Sequence, residues 1–237
     1  MRRAWAGILL LAWPVAAREN VVVDTDCGLF GDDGASLVML LRSPAKVSIS
    51  ALTVVPGNVW SAQAAEDVFH ILDLLKSPMP VYRGAQTPLL HTAAMAREEG
   101  RRWAPLEFRG AFADDPNAVV PAPGAKLTGR EARAGAVERL AAEIEQHPGQ
   151  VTVLALGPLT NIALALRLHP EIETRIRQIV MMGGNVTSPG NASPAAEFNF
   201  WFDAEAARIV LRSRIPKKLL FDLDICNRAL LRKAPYL

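Results

Sequence analysis

The chain has 237 residues, half of them hydrophobic, enough for one sizeable α/β core rather than two full domains. A formal net charge of +2, with both signs mixed and no basic patch interleaved with aromatics, argues against nucleic acid or acidic membranes as partners. Two cysteines, Cys27 and Cys226, are too few for a disulfide framework, although a single bridge between them stays open.

The N-terminus reads as a secretory signal peptide. Arg2 and Arg3 supply a positive end, residues 4–12 an apolar stretch, and Val15-Ala16-Ala17 a small-residue cleavage site. The apolar run is short of the roughly 20 residues that span a bilayer. A buried helix or membrane anchor is the alternative. On the signal-peptide reading there is no stable membrane insertion, mature protein begins near Arg18, and it is exported to the periplasm or the extracellular medium.

Beyond the leader, residues 20–23 (Asn-Val-Val-Val) predict a buried parallel strand. An Asp- and Gly-rich loop follows, and Asp32-Asp33 opens a helix to residue 42. A strand over 47–55 stops at Pro56-Gly57-Asn58, and Ser61 is expected to cap a helix to residue 75. A short strand near Val81 leads into residues 87–129, which show no periodicity and are expected to form an irregular functional loop or lid. Alternation then resumes, with a helix over 130–146, strand 151–155, helix 159–167 and strand 178–182. A Gly/Asn/Ser/Pro loop over 183–194 precedes a helix over 204–212, strand 217–223 and a helix start at 226–231. Repeated alternation predicts an α/β fold with a mostly parallel central sheet covered on both faces. In such open sheets ligands bind beyond the carboxyl ends of the strands.

The first of these loops carries chemistry. Asp24, Asp26, Asp32 and Asp33 fall within ten residues, and like charges this close are costly unless a cation or strong donors compensate. Hard cations take oxygen ligands, and Gly28 and Gly31 let the chain fold around one. Helix N-terminal charge complementarity accounts for one or two of these acids, not four. A strand ending in Asp-x-Asp also resembles the nucleophile motif of haloacid-dehalogenase-type phosphatases, in which the first aspartate is phosphorylated. The later half offers Asp222 and Asp224 as the acidic pair such chemistry wants, but no lysine stands out on a suitable loop.

The run Val23-Asp24-Thr25-Asp26-Cys27-Gly28, followed by Asp32-Asp33, resembles the N-terminal signature of the inosine-uridine-preferring nucleoside hydrolase family. Cys27 replaces the usual proline, and two extra residues separate the glycine from the paired aspartates. Three more blocks fall in the family's order: Leu52-Thr53-Val54-Val55-Pro56-Gly57-Asn58, Leu156-Gly157-Pro158-Leu159-Thr160-Asn161, and Met181-Met182-Gly183-Gly184 with Gly190-Asn191 and Ala196-Glu197-Phe198-Asn199.

The resemblance implies a nucleoside hydrolase-like, Rossmann-like domain over 18–237 that cleaves the N-glycosidic bond of ribonucleosides. It implies one Ca2+ per chain, in preference to Mg2+, holding the attacking water and ribose hydroxyls. Carried over, Asp26 is metal ligand and general base, and Asp33 and the Leu156 carbonyl complete the protein ligands present. Asp32, Asn58 and Asn199 hold the 2′ and 3′ hydroxyls, Asn191 and Glu197 reach the 5′ hydroxyl, Met182 borders the sugar, and Asp24 supports the loop from behind. Trp103 and Phe108 are candidates to stack on the base. Homodimers or homotetramers are expected from the same likeness. The family's chain runs on for roughly another third of this length, and that part carries a further aspartate ligand and often a histidine acid. The sequence therefore resembles a C-terminally truncated member, with His91 the one histidine placed to protonate a leaving base. On this reading the rival function is a secreted metal- or nucleoside-binding protein without turnover.

Overall fold

The computed structural model describes residues 18–29, 31–103 and 108–229; the expected signal peptide lies outside the described residues. Seven strands form one sheet in which every pairing is parallel. In chain order the first half runs β1 (Glu19–Thr25), α1 (Asp32–Leu41), β2 (Val47–Val54), α2 (Ser61–Leu74), β3 (Tyr82–Arg83), α3 (Ala93–Trp103) and β4 (Arg133–Ala134). The second half runs α4 (Ala136–Gln146), β5 (Val151–Ala155), α5 (Thr160–Leu168), β6 (Gln178–Met182), α6 (Phe198–Phe202), α7 (Ala204–Arg212), β7 (Lys218–Phe221) and α8 (Leu223–Cys226). The spatial order is β4-β3-β2-β1-β5-β6-β7. From β1 the chain winds outward to β4, then returns to the other side of β1. The crevice between the C-terminal ends of β1 and β5 is therefore the topological switch point, where open parallel sheets hold ligands.

The valines of β1 show why the sheet needs helices on both faces. Val21 and Val23 pack among residues of α1 and α2, and Val22 packs with α4, α5 and α7. All three are buried, and each buried valine contributes roughly 1.5–3 kcal/mol relative to exposure. A third cluster, built from Trp60, Phe112, Phe198, Trp201 and Phe202 among others, forms a separate aromatic core. No helix among the described residues is long and apolar enough to cross a membrane.

Several local expectations are corrected. The segment 87–129 is not wholly irregular, for it holds α3 and a 3-10 turn at Gly110–Ala113. Only Ala96 of α3 is buried, so no apolar stripe announced it; surface pairs from Glu98 to Arg101 and Arg102 support it instead. The helix expected from 130 begins at Ala136, because Arg133–Ala134 joins the sheet and Gly135 turns the chain at φ +87°. Ser61 is the first helical residue of α2 and makes no cap; Trp60 occupies that position. The strand expected over 217–223 is shorter, and the single turn α8 ends at Cys226, where the helix start at 226–231 was expected; residues 230 and 231 lie outside the described residues. Both cysteines are free thiols, Cys27 buried and Cys226 partly exposed, so the bridge left open above is absent.

Candidate active site

The acidic loop leaves the C-terminal end of β1 at the switch point. Asp24, the penultimate residue of β1, is 1% exposed. Its Oδ1 accepts the Thr53 hydroxyl at 2.6 Å and the Asn161 amide at 2.8 Å, so one carboxylate ties β1 to β2 and α5. Burial raises its pKa to about 6 despite both donors. Holding β2 and α5 in this way is a structural role rather than that of a nucleophile.

Asp26 is fully buried. Its Oδ2 accepts the backbone N–H of Asn58 at 2.7 Å, while its Oδ1 has no hydrogen-bond partner. Two glycines wall the carboxylate. A Cβ on Gly57 would lie 2.1 Å from Oδ2, and one on Gly157 would lie 2.6 Å from Oδ1. The turns after β2 and β5 thus close on the carboxylate from both sides, which only glycine permits. Burial, and after it the Asp33 charge, pushes Asp26 well above the usual carboxylate range.

Asp32 and Asp33 begin α1. Asp33 turns inward, is 6% exposed, and its Oδ1 accepts the Thr25 hydroxyl at 2.5 Å. Burial raises its pKa to about 6. Asp32 stays exposed. Across the crevice, the Leu156 N–H bonds the Asp24 carbonyl at 2.9 Å, and the Leu156 carbonyl accepts the Asn199 side-chain amide at 2.9 Å. That amide also approaches the Met182 carbonyl at 3.2 Å and its sulfur at 3.3 Å. Leu156, Met182 and Asn199 therefore meet at the ends of β5 and β6.

Glu197 caps α6, a helix that periodicity over five residues could not reveal. Its carboxylate accepts the N–H groups of Asn199 at 2.8 Å, Phe200 at 3.0 Å and Gly184 at 2.7 Å. Burial raises its pKa. Asn191 is exposed, and its Oδ1 accepts the Phe198 N–H at 2.8 Å. Both residues are thus engaged in building the loop between β6 and α6. Asn58 is half-buried and contributes its backbone to Asp26.

His91 lies in an aromatic box, its Nδ1 3.0 Å from the Trp201 carbonyl and its ring 4.6 Å from Trp201 and 5.1 Å from Phe112. Its Nε2 faces Glu99 at 3.9 Å. This is an aromatic packing position beside Glu99. A cavity of about 500 Å3 beyond Glu197 is lined by His91, Glu99, Phe200 and Trp201. Phe108 meets Phe198 edge-on at 4.9 Å, while Trp103 is exposed on α3.

Two residues not singled out from sequence shape the site. Asn161 joins Asp24, the Val54 carbonyl and the Ala85 N–H. Asp203, fully buried, accepts from Leu89 N–H, the Thr160 hydroxyl and Ala206 N–H. Asn161 ends the Leu156-to-Asn161 block already quoted, so its position was visible and its bonding was not.

The donor set fits a hard cation. Asp26 offers an unpartnered oxygen, Asp33 a second carboxylate nearby, and Leu156 a carbonyl. Among the described residues, three histidine or acidic side chains bring ligand atoms within 4.8 Å of one another only at Glu145, His169 and Glu171. That group lies where α4 and α5 end, toward the N-terminal ends of the strands that follow them, and is largely exposed.

Known proteins resemble this chain in sequence and in fold. An uncharacterized protein of Schizosaccharomyces pombe is 36% identical over 211 residues, covering 88% of this chain and 62% of that protein. A Salmonella paratyphi B protein named pyrimidine-specific ribonucleoside hydrolase RihA is 35% identical over 215 residues, covering 90% of this chain and 63% of that protein. The chain thus spans under two thirds of these relatives' length. A solved inosine-guanosine nucleoside hydrolase superposes with a TM-score of 0.70 at 30% identity, covering 93% of this chain and 64% of that one. The family model for inosine-uridine preferring nucleoside hydrolases matches residues 21–236. Because that match runs through all seven strands and every loop that brings a carboxylate or asparagine to the switch point, the chain belongs to the inosine-uridine preferring nucleoside hydrolase family.

Proposed function

We propose that this protein hydrolyses the N-glycosidic bond of ribonucleosides, with a Ca2+-activated water, to give ribose and free base. The observation that carries the reading is Asp26: a carboxylate buried at the switch point, fixed through one oxygen and free at the other. Asp26, Asp33 and the Leu156 carbonyl would hold the ion, the remaining positions falling to water and sugar hydroxyls. An oxygen-only set suits a hard cation, and calcium, which takes six to eight such ligands, tolerates irregular geometry better than magnesium does. When bound, the ion would acidify its water and orient the 2′ and 3′ hydroxyls.

The chain's own groups do the rest. Asp26 Oδ1, the oxygen without a hydrogen-bond partner, would receive the water's proton as general base. Asp32, Asn58 and Asn199 pair the 2′ and 3′ hydroxyls, since amides and carboxylates together match groups that both donate and accept. Met182 closes the sugar's flank, and Asn191 and Glu197 face the 5′ hydroxyl. Asp24 keeps Asp26 aligned by tying three elements together. An N-terminal leader that exports the protein accords with this scavenging chemistry, and N-terminal sequencing of secreted material beginning near Arg18 checks it.

The test is base release from uridine and inosine with added calcium. Turnover that Asp26→Ala abolishes supports hydrolysis. Calcium-dependent binding of either nucleoside with no base released would instead establish a binding protein, and absence of both would overturn the proposal.

A further inference from the structure

Asp224 lies in α8, just beyond the edge strand β7, and has no part in the chemistry above. Its single carboxylate nevertheless gathers four donors from the loop between β6 and α6. Oδ2 accepts the backbone N–H groups of Val186 at 2.8 Å and Thr187 at 3.0 Å. Oδ1 accepts the Ser188 hydroxyl at 2.9 Å and the Thr187 hydroxyl. The Val186 side chain itself is 76% exposed and adds no packing there. From this anchor a relay runs inward. Asn185 donates to the Ser188 carbonyl at 2.7 Å and accepts the Glu197 N–H at 3.2 Å. Glu197 in turn holds the Gly184 N–H at 2.7 Å.

We propose that Asp224 is a positioning residue that sets this loop so that Asn191 and Glu197 discriminate the sugar's 5′ hydroxyl. The inference rests on the function proposed above. A charged acceptor shared among four donors makes bonds about twice as strong as neutral ones, and it acts on segment 186–188, two links from Glu197. Loss of Asp224 leaves Asp26 and Asp33 untouched while the loop's geometry loosens.

Two measurements on the full chain test this. In hydrogen exchange, Asp224→Ala should speed exchange at Val186 and Thr187 at least tenfold, and the change should reach Gly184. Faster exchange confined to 186–187, or none, overturns the relay. In kinetics, the unaltered protein should prefer uridine to 5′-deoxyuridine by about a hundredfold or more in kcat/KM, because a site built around a hydroxyl is left unpaired without it. Asp224→Ala should cut that ratio at least tenfold, and Asp224→Asn, which keeps one acceptor oxygen, should fall between. Equal loss on both substrates would show a merely structural role and overturn the proposal. Absence of turnover in the unaltered protein would refute the hydrolase reading alone, because the exchange measurement needs no substrate.

Discussion

Metal-free protein should become more stable as the pH falls from 8 to 5, against the usual direction of acid unfolding. Asp24 titrates at about 6 when folded and at an ordinary value of 3.8 when unfolded. Its folded pKa is raised, so the native state binds the proton more tightly. The contribution to stability is complete below 3.8 and is lost as pH rises through 6. Between pH 8 and pH 5 the native state takes up close to one extra proton over about one pH decade, about 1.4 kcal/mol for this residue alone. In a domain of this size that corresponds to about 3–6 °C in Tm. Exposed carboxylates whose pKa is lowered, such as Glu98 and Glu171, pull the other way, so the comparison is made against Asp24→Asn. Scanning calorimetry of both proteins in chelator isolates Asp24. The wild type should gain about 1.4 kcal/mol on the variant between pH 8 and pH 5. A difference that is flat or shrinks on acidification would refute the argument, because Asp24 would then be ionised at little cost.

Calcium binding should release protons near pH 6, since burial raises Asp33 to about 6 and lifts Asp26 well above the usual carboxylate range; calorimetry in buffers of different ionisation enthalpy measures the number, and zero release at pH 6 contradicts it. Asp33→Asn should weaken calcium at least tenfold, read by the same titration. Gly157→Ala places a methyl where Asp26 Oδ1 now lies free and should cost at least a hundredfold in kcat/KM for uridine with Tm lowered by only a few degrees, whereas unchanged activity would show that the open oxygen is not used. Thiol titration should find two free thiols after denaturation without reductant, with Cys27 unreactive in the native state.

How far the fold could be read follows from what each element buries. The strands β5 and β6 were legible to their end residues, because interior parallel strands read as nearly continuous apolar runs. The helix α7 was legible because its buried residues Ala206, Ala207 and Val210 recur on one face. The helix α3 was not, since it buries one alanine and is held by charge pairs and by Trp201 donating to Glu99 at 2.6 Å. The helix α6 is too short for a period and depends on a cap that also belongs to the candidate site. Among site residues, the closeness of Asp24, Asp26 and Asp33 could be read from one loop. The engagement of Glu197 with three backbone amides could not, because residue type does not say which lone pairs the fold consumes. His91 looked available from its place in a loop, and an aromatic box encloses it.

The adjacency of β1 and β5 has a kinetic consequence. Asn20 pairs with Val151, so the two halves of the crevice come from segments far apart in the chain, whose pairing carries a large loop-closure cost. A cation that needs both Asp26 and the Leu156 carbonyl therefore finds its full set of oxygens only after this long-range docking. Calcium should accordingly act as a late lock, slowing the escape from the native state many-fold while leaving the rate of refolding nearly unchanged.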